Sequence, residues 1–221
     1  MPRRRLLDST ELFTAMPTDV LDRLREQAVL VRIPKGQAVF SEGDPAHRLF
    51  VVAEGRIAIA SRASDGRETL VAVMEAGALF GELGLFDGEP RSADARALTD
   101  AEVLAVEYTA VRTAFEAQPD LLWLVVRLLA QRLRATDEAL ADAVFLDVPA
   151  RTAKRLLELA GDRDEFQLPL TQEDLAGLVG ASRERVNKAL AMFTRLGWVE
   201  TTGRGQYHII DRASLEQRAE Q

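Results

Sequence analysis

The sequence predicts an α+β protein, with an antiparallel β-roll in its N-terminal half, a long helix after it, and a small winged helical domain at its end. Three observations carry this expectation. Between about residues 28 and 107, short apolar runs alternate with clusters of Gly, Pro and Asp, the spacing of a roll or barrel. From Pro119 to Pro149 no Gly or Pro intervenes, and apolar residues recur at helical intervals. Beyond Pro149, two helical runs are joined by Gly180-Ala181 and followed by two strand-like runs, as in a winged helix-turn-helix.

Taken in order, residues 17–27 place Val20, Leu21 and Leu24 on one face of a short helix. The strand candidates are 28–33, 37–41, 49–53, 57–60, 69–74 and 103–106. Pro34-Lys35-Gly36, Glu42-Gly43-Asp44-Pro45, Glu54-Gly55 and Ser64-Asp65-Gly66 separate them with the residues that turns demand. The helix expected over 120–146 would run for roughly 40 Å. Its apolar residues fall in a heptad register, Leu122, Val126, Leu129, Leu133, Thr136, Leu140 and Ala143, with Thr136 the single polar member. That register suits a parallel two-stranded coiled coil; the alternative is a helix packed on its own domain.

The final domain is expected as helices over 152–160, 171–179 and 182–196, then strands within 198–210. Thr171 can cap its helix, with Glu173 and Asp174 in the first turn where the helix dipole favours acids. Ser182 can cap the next helix, and Thr202-Gly203-Arg204-Gly205 reads as the hairpin tip of a wing. Trp198 is expected in the core beneath that wing.

Composition excludes several functions. The 221 residues contain no Cys and only two His, His47 and His208, in unlike settings. Thiolate nucleophiles, Cys-ligated clusters and His-rich metal sites are therefore excluded. His47 reads as a solvated turn residue without a haem role. No nucleophile stands with a plausible base, so no enzyme activity is expected. Apolar stretches such as 121–129 are broken by charge far short of the roughly 20 residues of a membrane span. With no signal-peptide pattern in the first residues, where Arg3-Arg4-Arg5 reads as a tail, a cytoplasmic protein is expected.

The formal charge is −7, which on its face argues against a nucleic-acid partner. Its distribution changes that inference. Residues 1–148 carry 17 basic and 24 acidic groups, whereas 149–221 carry 11 of each. Within 182–195, Arg183, Arg185, Lys188 and Arg195 face Glu184 alone, so one helix of a neutral domain is locally basic.

The segment Phe80-Gly81-Glu82-Leu83-Gly84-Leu85-Phe86-Asp87-Gly88-Glu89-Pro90-Arg91-Ser92-Ala93 carries the other candidate chemistry. Glycines around an acid let backbone N–H groups approach an anion. Arg91 offers a fork for phosphate oxygens, Ser92 a hydroxyl donor and Glu82 an acceptor for sugar hydroxyls. The residues alone fit a phosphorylated sugar or nucleotide site, or a turn closed by an Arg91–Glu82 salt bridge.

This segment resembles the phosphate-binding cassette of the cyclic-nucleotide-binding β-roll (jelly roll) found in the catabolite activator (CRP/FNR) family of transcription regulators. Phe145-Leu146-Asp147-Val148 resembles that family's hinge. Leu170-Thr171-Gln172-Glu173 and Val179-Gly180-Ala181-Ser182-Arg183-Glu184 resemble its helix-turn-helix. The likeness runs from about Leu12 to Ile210, and Ser64-Asp65-Gly66-Arg67-Glu68 with Val186-Asn187-Lys188-Ala189-Leu190 is most similar to the actinobacterial cyclic-AMP receptor branch.

The resemblance implies a role for each matching position. Gly81 and Leu83 would make backbone contacts to the nucleotide, Glu82 would hold the ribose 2′-hydroxyl, and Arg91 with Ser92 the cyclic phosphate. Arg132 and Thr136 would reach the ligand from the long helix, joined by Asp137 of the other subunit. Asp137 stands where relatives usually carry Ser or Asn; a carboxylate only accepts, so it suits the adenine amine or the guanine donors. Cyclic AMP is the expected allosteric ligand, with cyclic GMP, another nucleotide or no ligand as alternatives, and no cofactor is expected. On the DNA side, Arg183 would meet guanine, Glu184 cytosine, and Lys188 guanine or phosphate, while Thr171, Gln172 and Ser182 position the backbone. The expected domains are the β-roll over 1–118, the dimerisation helix and hinge over 119–148, and the winged helix-turn-helix over 149–221. The expected partners are double-stranded DNA, a second copy of the chain and RNA polymerase. A regulatory subunit that binds no DNA is the alternative from another class.

Overall fold

The structure, a computed structural model, describes residues 10, 13, 16–62, 68–167, 170–203 and 205–221, with backbone alone at Arg62 and Glu68. The Arg3-Arg4-Arg5 cluster, most of the Ser64-to-Glu68 turn and Arg204 at the wing tip lie outside the described residues. The chain divides into two compact units, 1–66 with 71–134, and 67–70 with 135–221.

The first unit opens with helix α1, Thr18–Gln27, which buries Val20, Leu21 and Leu24 as its apolar spacing requires. Eight strands follow: β1 Val29–Ile33, β2 Ala38–Phe40, β3 Arg48–Glu54, β4 Ile57–Arg62, β5 Glu68–Met74, β6 Leu79–Phe80, β7 Asp94–Ala97 and β8 Ala101–Glu107. They form two four-stranded sheets, ordered β1-β8-β3-β6 and β2-β7-β4-β5. Strands β6 and β7 were not expected from the sequence. The first is two residues long, and the second carries Asp94 and Arg96 yet pairs with β2 and β4 on either side.

Alternation along β3 gives the sheet two buried faces. Phe50 and Val52 pack with Ile57, Phe80, Ala95 and Val103 between the sheets. Leu49 and Val51 point the other way, onto Leu24, Leu104, Val106 and Val111 beneath the helices. Between β6 and β7 lies the five-residue helix α2, Leu83–Asp87, ended by left-handed Gly88. Helix α3, Tyr108–Ala117, is a third unexpected element; it buries Tyr108, Val111, Ala114 and Phe115. A 3₁₀ turn, Pro119–Leu121, leads into the long helix α4, Leu122–Phe145.

Helix α4 buries only Val125 fully. From its heptad register Leu122, Val126, Leu133 and Leu140 remain exposed, as do Trp123, Val144 and Phe145 outside it, while Leu129 packs partly on the core of the first unit.

The second unit holds α5 Val148–Ala160, β9 Glu165–Gln167, α6 Gln172–Val179, α7 Arg183–Arg195, β10 Val199–Gly203, β11 Gln206–Ile209 and α8 Arg212–Ala219. Strands order as β10-β11-β9. Its core gathers Leu156, Phe166, Leu175, Val186, Phe193, Tyr207 and Leu215. Trp198 lies against it, stacked on Phe193 at 5.8 Å. Neither β9 nor α8 was expected. Asp211 starts α8 by accepting from the Ser214 N–H.

Asp147 separates α4 from α5 and caps the latter by accepting from the Ala150 N–H at 2.9 Å. Arg218 of α8 donates to both Asp147 carboxylate oxygens, at 2.7 and 2.6 Å. Arg151 donates to four carbonyls, those of Ala143 and Leu146 at 3.1 Å each, Val179 at 3.0 Å and Gly180 at 3.4 Å. Lys154 bridges back to Glu138 and Asp142 of α4 at 2.9 and 2.7 Å.

Candidate functional site

The first site forms where β6 ends. Gly81 adopts φ +73°, which turns the chain so that the Glu82 side chain enters the unit and α2 begins. Gly84 is needed for space rather than conformation: a Cβ there would lie 2.6 Å from Ala46 Cβ and 2.7 Å from the Glu89 carbonyl. Together with Phe40, Ile59, Met74 and Phe80, the residues Gly81–Gly84, Pro90–Ala93 and Arg132 line a cavity of about 90 Å³.

Glu82 is 1% exposed. Its Oε1 pairs with Arg132 Nη1 from α4, and Arg132 Nη2 donates to the Leu79 carbonyl. The second carboxylate oxygen, Oε2, is buried without a hydrogen-bond partner among the described residues. A buried acceptor left so is costly unless a donor arrives. The cation that meets Glu82 is thus Arg132, and the salt bridge from Arg91 that a plain turn would use is not formed.

Arg91 is caged instead. Nη1 donates to the Gly81 carbonyl at 2.6 Å and to Tyr108 Oη at 3.2 Å, and Nη2 donates to the Arg48 carbonyl at 2.7 Å. The guanidinium lies 4.1 Å above the centre of the Phe40 ring, a cation–π distance, and Nε has no hydrogen-bond partner among the described residues. Burial lowers the Arg91 pKa despite the opposing contributions of Tyr108, Asp44 and Glu82. Burial also raises the Tyr108 pKa against the pull of Arg91, which keeps the phenol neutral and able to donate to the Gly81 carbonyl at 2.5 Å.

Of the expected nucleotide contacts, the structure brings together Gly81, Glu82, Leu83, Arg91, Ser92 and Arg132 around this cavity. Ser92 and Leu83 are exposed at its mouth. Thr136 and Asp137, further along α4, are exposed. Phe40 and Tyr108 belong to the site and were missed. Both come from distant strands and helices, and only the aromatic character of a cation's neighbours hinted at them. His47 is exposed; its carbonyl accepts from the Tyr108 N–H.

The second site is the outer face of α6 and α7. Thr171 forms a capping box with Asp174, accepting from its N–H while its own N–H meets the Asp174 carboxylate. Gly180, at φ +66°, then turns the chain into Ser182, whose hydroxyl caps α7 by accepting from the Arg185 N–H. Val186, Ala189 and Phe193 face the core at helical spacing, so Arg183, Glu184, Arg185 and Lys188 face solvent. Glu184 and Lys188 pair at 2.7 Å, and that contact lowers the Glu184 pKa. Gln172 Oε1 accepts from both Arg183 Nη2 and Asn187 Nδ2. Asn187 was not among the expected residues.

A β-roll with a buried, half-satisfied carboxylate, followed on the same chain by a helix-turn-helix with exposed cations, defines a ligand-gated class of DNA-binding regulator. Comparison with known proteins agrees. Residues 30–118 match the cyclic nucleotide-binding domain and residues 150–218 the Crp-like helix-turn-helix domain. The chain is 39% identical over 221 residues to the CRP-like cAMP-activated global transcriptional regulator of Mycobacterium tuberculosis, covering 97% of this chain and 98% of that one. It is 31% identical over 180 residues to the cAMP-activated global transcriptional regulator CRP of Salmonella typhimurium, covering 78% and 86%. Among solved structures, FixK2 from Bradyrhizobium japonicum shares the fold at TM-score 0.79 and 23% identity, over 86% of this chain and 96% of that one. The c-di-GMP responsive global regulator CLP of Xanthomonas campestris superposes at TM-score 0.75 with 26% identity, over 87% and 99%.

The chain belongs to the CRP/FNR family of transcription regulators. It is a CRP-like regulator with a cyclic-nucleotide-binding domain, and its helix-turn-helix binds DNA. Its relatives are regulators rather than enzymes. No described helix is long and apolar enough to cross a membrane, and no group of metal ligands occurs among the described residues.

Proposed function

We propose that the chain acts as a homodimer whose affinity for palindromic operators is raised by cyclic AMP. One observation carries the ligand assignment: Glu82 Oε2 is buried and unpartnered in a cavity whose wall also holds Arg91, Ser92 and Arg132. A ribose 2′-hydroxyl supplies the missing donor, and the cyclic phosphate sits against Arg91 and Ser92, with Gly81 and Leu83 giving backbone contacts. The cavity of about 90 Å³ is smaller than the ~300 Å³ at which small-molecule pockets begin, so nucleotide entry requires its wall to open. Ligand binding then selects the opened arrangement, and only differential affinity for that arrangement can shift DNA binding.

The exposed apolar stripe of α4 supports the dimer, which would bring Thr136 of one copy and Asp137 of its partner toward each base. In the DNA complex Arg183 reads guanine, Lys188 reads guanine or phosphate, Glu184 accepts from cytosine once released from Lys188, and Thr171, Gln172 and Ser182 hold the backbone. The regulator works in the cytoplasm with RNA polymerase as partner and without a cofactor. A second reading, in which a guanine nucleotide is the ligand, draws on the acceptor-only Asp137.

Calorimetry with cyclic AMP and cyclic GMP, on the wild type and Glu82→Gln, tests the assignment. Binding of cyclic AMP weakened by on the order of tenfold in Glu82→Gln is expected, since a bond to a charged group contributes about 1.5–3 kcal/mol. Absence of heat with either nucleotide would sink it.

A further inference from the structure

We propose that Asn187 is a positioning residue that sets the base preference of the recognition helix by orienting Gln172, which in turn holds Arg183. The proposal rests on the reading above in which Arg183 meets a guanine.

The geometry fixes each amide in turn. Arg183 Nη2 approaches Gln172 at 3.3 Å, and a guanidinium can only donate, so the atom it meets is the Gln172 carbonyl oxygen. Asn187 approaches the same oxygen at 3.2 Å and must therefore present its amide nitrogen. That choice turns Asn187 Oδ1 away, where it is buried without a hydrogen-bond partner among the described residues. An orphaned acceptor is unfavourable, and the structure retains it in order to aim a donor at Gln172.

Two consequences follow for the reading face. With Oε1 occupied by two donors, the exposed Gln172 has only its NH2 group left to offer, which suits a phosphate or base acceptor and repels a donor. Arg183, one helical turn before Asn187 on the same face of α7, is held through one Nη2 proton. Its remaining N–H groups stay available for the paired acceptors O6 and N7 of guanine. The neighbouring cation on this face, Lys188, is held differently, by Glu184 at 2.7 Å with both side chains about three-quarters exposed. Arg183 is thus steadied by a neutral amide relay rather than by a carboxylate that would compete with the base for it.

The test uses the full-length protein with cyclic AMP present. Its preferred duplex is selected from a randomised library, and affinity is measured on that duplex and on versions carrying each single base change. The proteins are wild type, Arg183→Ala, Asn187→Ala, Asn187→Ser, Gln172→Ala and the Asn187→Ala/Gln172→Ala double variant. Arg183→Ala identifies the base pair whose preference depends on Arg183. At that pair Asn187→Ala and Asn187→Ser are expected to lower discrimination by about tenfold, the scale of one bidentate base contact. Affinity for random duplex, its salt slope and the melting temperature stay at wild-type values. Because the effect passes through Gln172, the double variant discriminates no worse than Gln172→Ala alone.

Full discrimination in both Asn187 variants, or losses that add in the double variant, would overturn the proposal. If Arg183→Ala changes preference at no position, it is the underlying assignment of Arg183 to a base that fails.

Discussion

Gly81→Ala puts the cage around Arg91 to a quantitative test. At φ +73° an alanine pays about 1–2 kcal/mol for the left-handed backbone. Its Cβ would also stand 2.7 Å from Arg91 Nη1, 3.2 Å from Phe40 Cε1 and 3.3 Å from Phe50 Cδ2. The rings stack in a cluster with Phe80 at centroid distances of 5.3–6.0 Å and have little room to yield. The guanidinium must therefore retreat, and its 2.6 Å bond to the Gly81 carbonyl weakens. A bond to a charged group is worth about 1.5–3 kcal/mol, so with the backbone term the total falls near 3 kcal/mol. For a chain of this size that corresponds to a fall in Tm of about 6–12 °C. Differential scanning calorimetry of the ligand-free protein measures it, and titration with cyclic AMP should show weaker binding because Arg91 has moved. A Tm within about 1 °C of wild type would show that Arg91 is not held as described and would refute the cage.

Two further outcomes are expected. Replacing Asp147 with Ala removes an N-cap and should cost about 1 kcal/mol at neutral pH, read by urea titration. Burial raises the Asp147 pKa, but the Ala150 N–H and Arg218 outweigh it and leave the pKa lowered. The stabilisation is therefore present above the unfolded value near 3.9 and is lost as pH falls through the lower folded value, so the variant and wild type should converge in strong acid. On α4, Leu133→Asp with Leu140→Asp places two charges in an exposed apolar stripe, and sedimentation should show a monomer with an intact far-ultraviolet spectrum.

What the sequence disclosed depended on how locally each element is determined. Helix α7 has its cap, its buried face and its exposed cations within fourteen residues, and its bounds agree to within a residue. Strand β7 has no such local signal: Asp94-Ala95-Arg96-Ala97 becomes a strand because β2 and β4 flank it from more than 30 residues away. Helix α3 does carry a local signal, since Val111, Ala114 and Phe115 sit at helical spacing. In the candidate site, Glu82 and Arg91 stood out by chemistry, but their pairing did not. An acid and a base nine residues apart read as partners, whereas Arg132, 50 residues on, is the cation that arrives at Glu82.

The four carbonyls gathered by Arg151 belong to the main chain, which every residue carries. Change of side chain at 143, 146 or 179 keeps a carbonyl at each position, while replacement of Arg151 removes all four bonds together. A lysine there, with its donors at a single point, could not reach positions 143 and 180 at once. Alongside the Lys154 bridges to Glu138 and Asp142 and the Arg218 bonds to Asp147, the Arg151 side chain ties the end of the long helix to the turn before the recognition helix, so a graft of this head onto a different helix must carry position 151 with it.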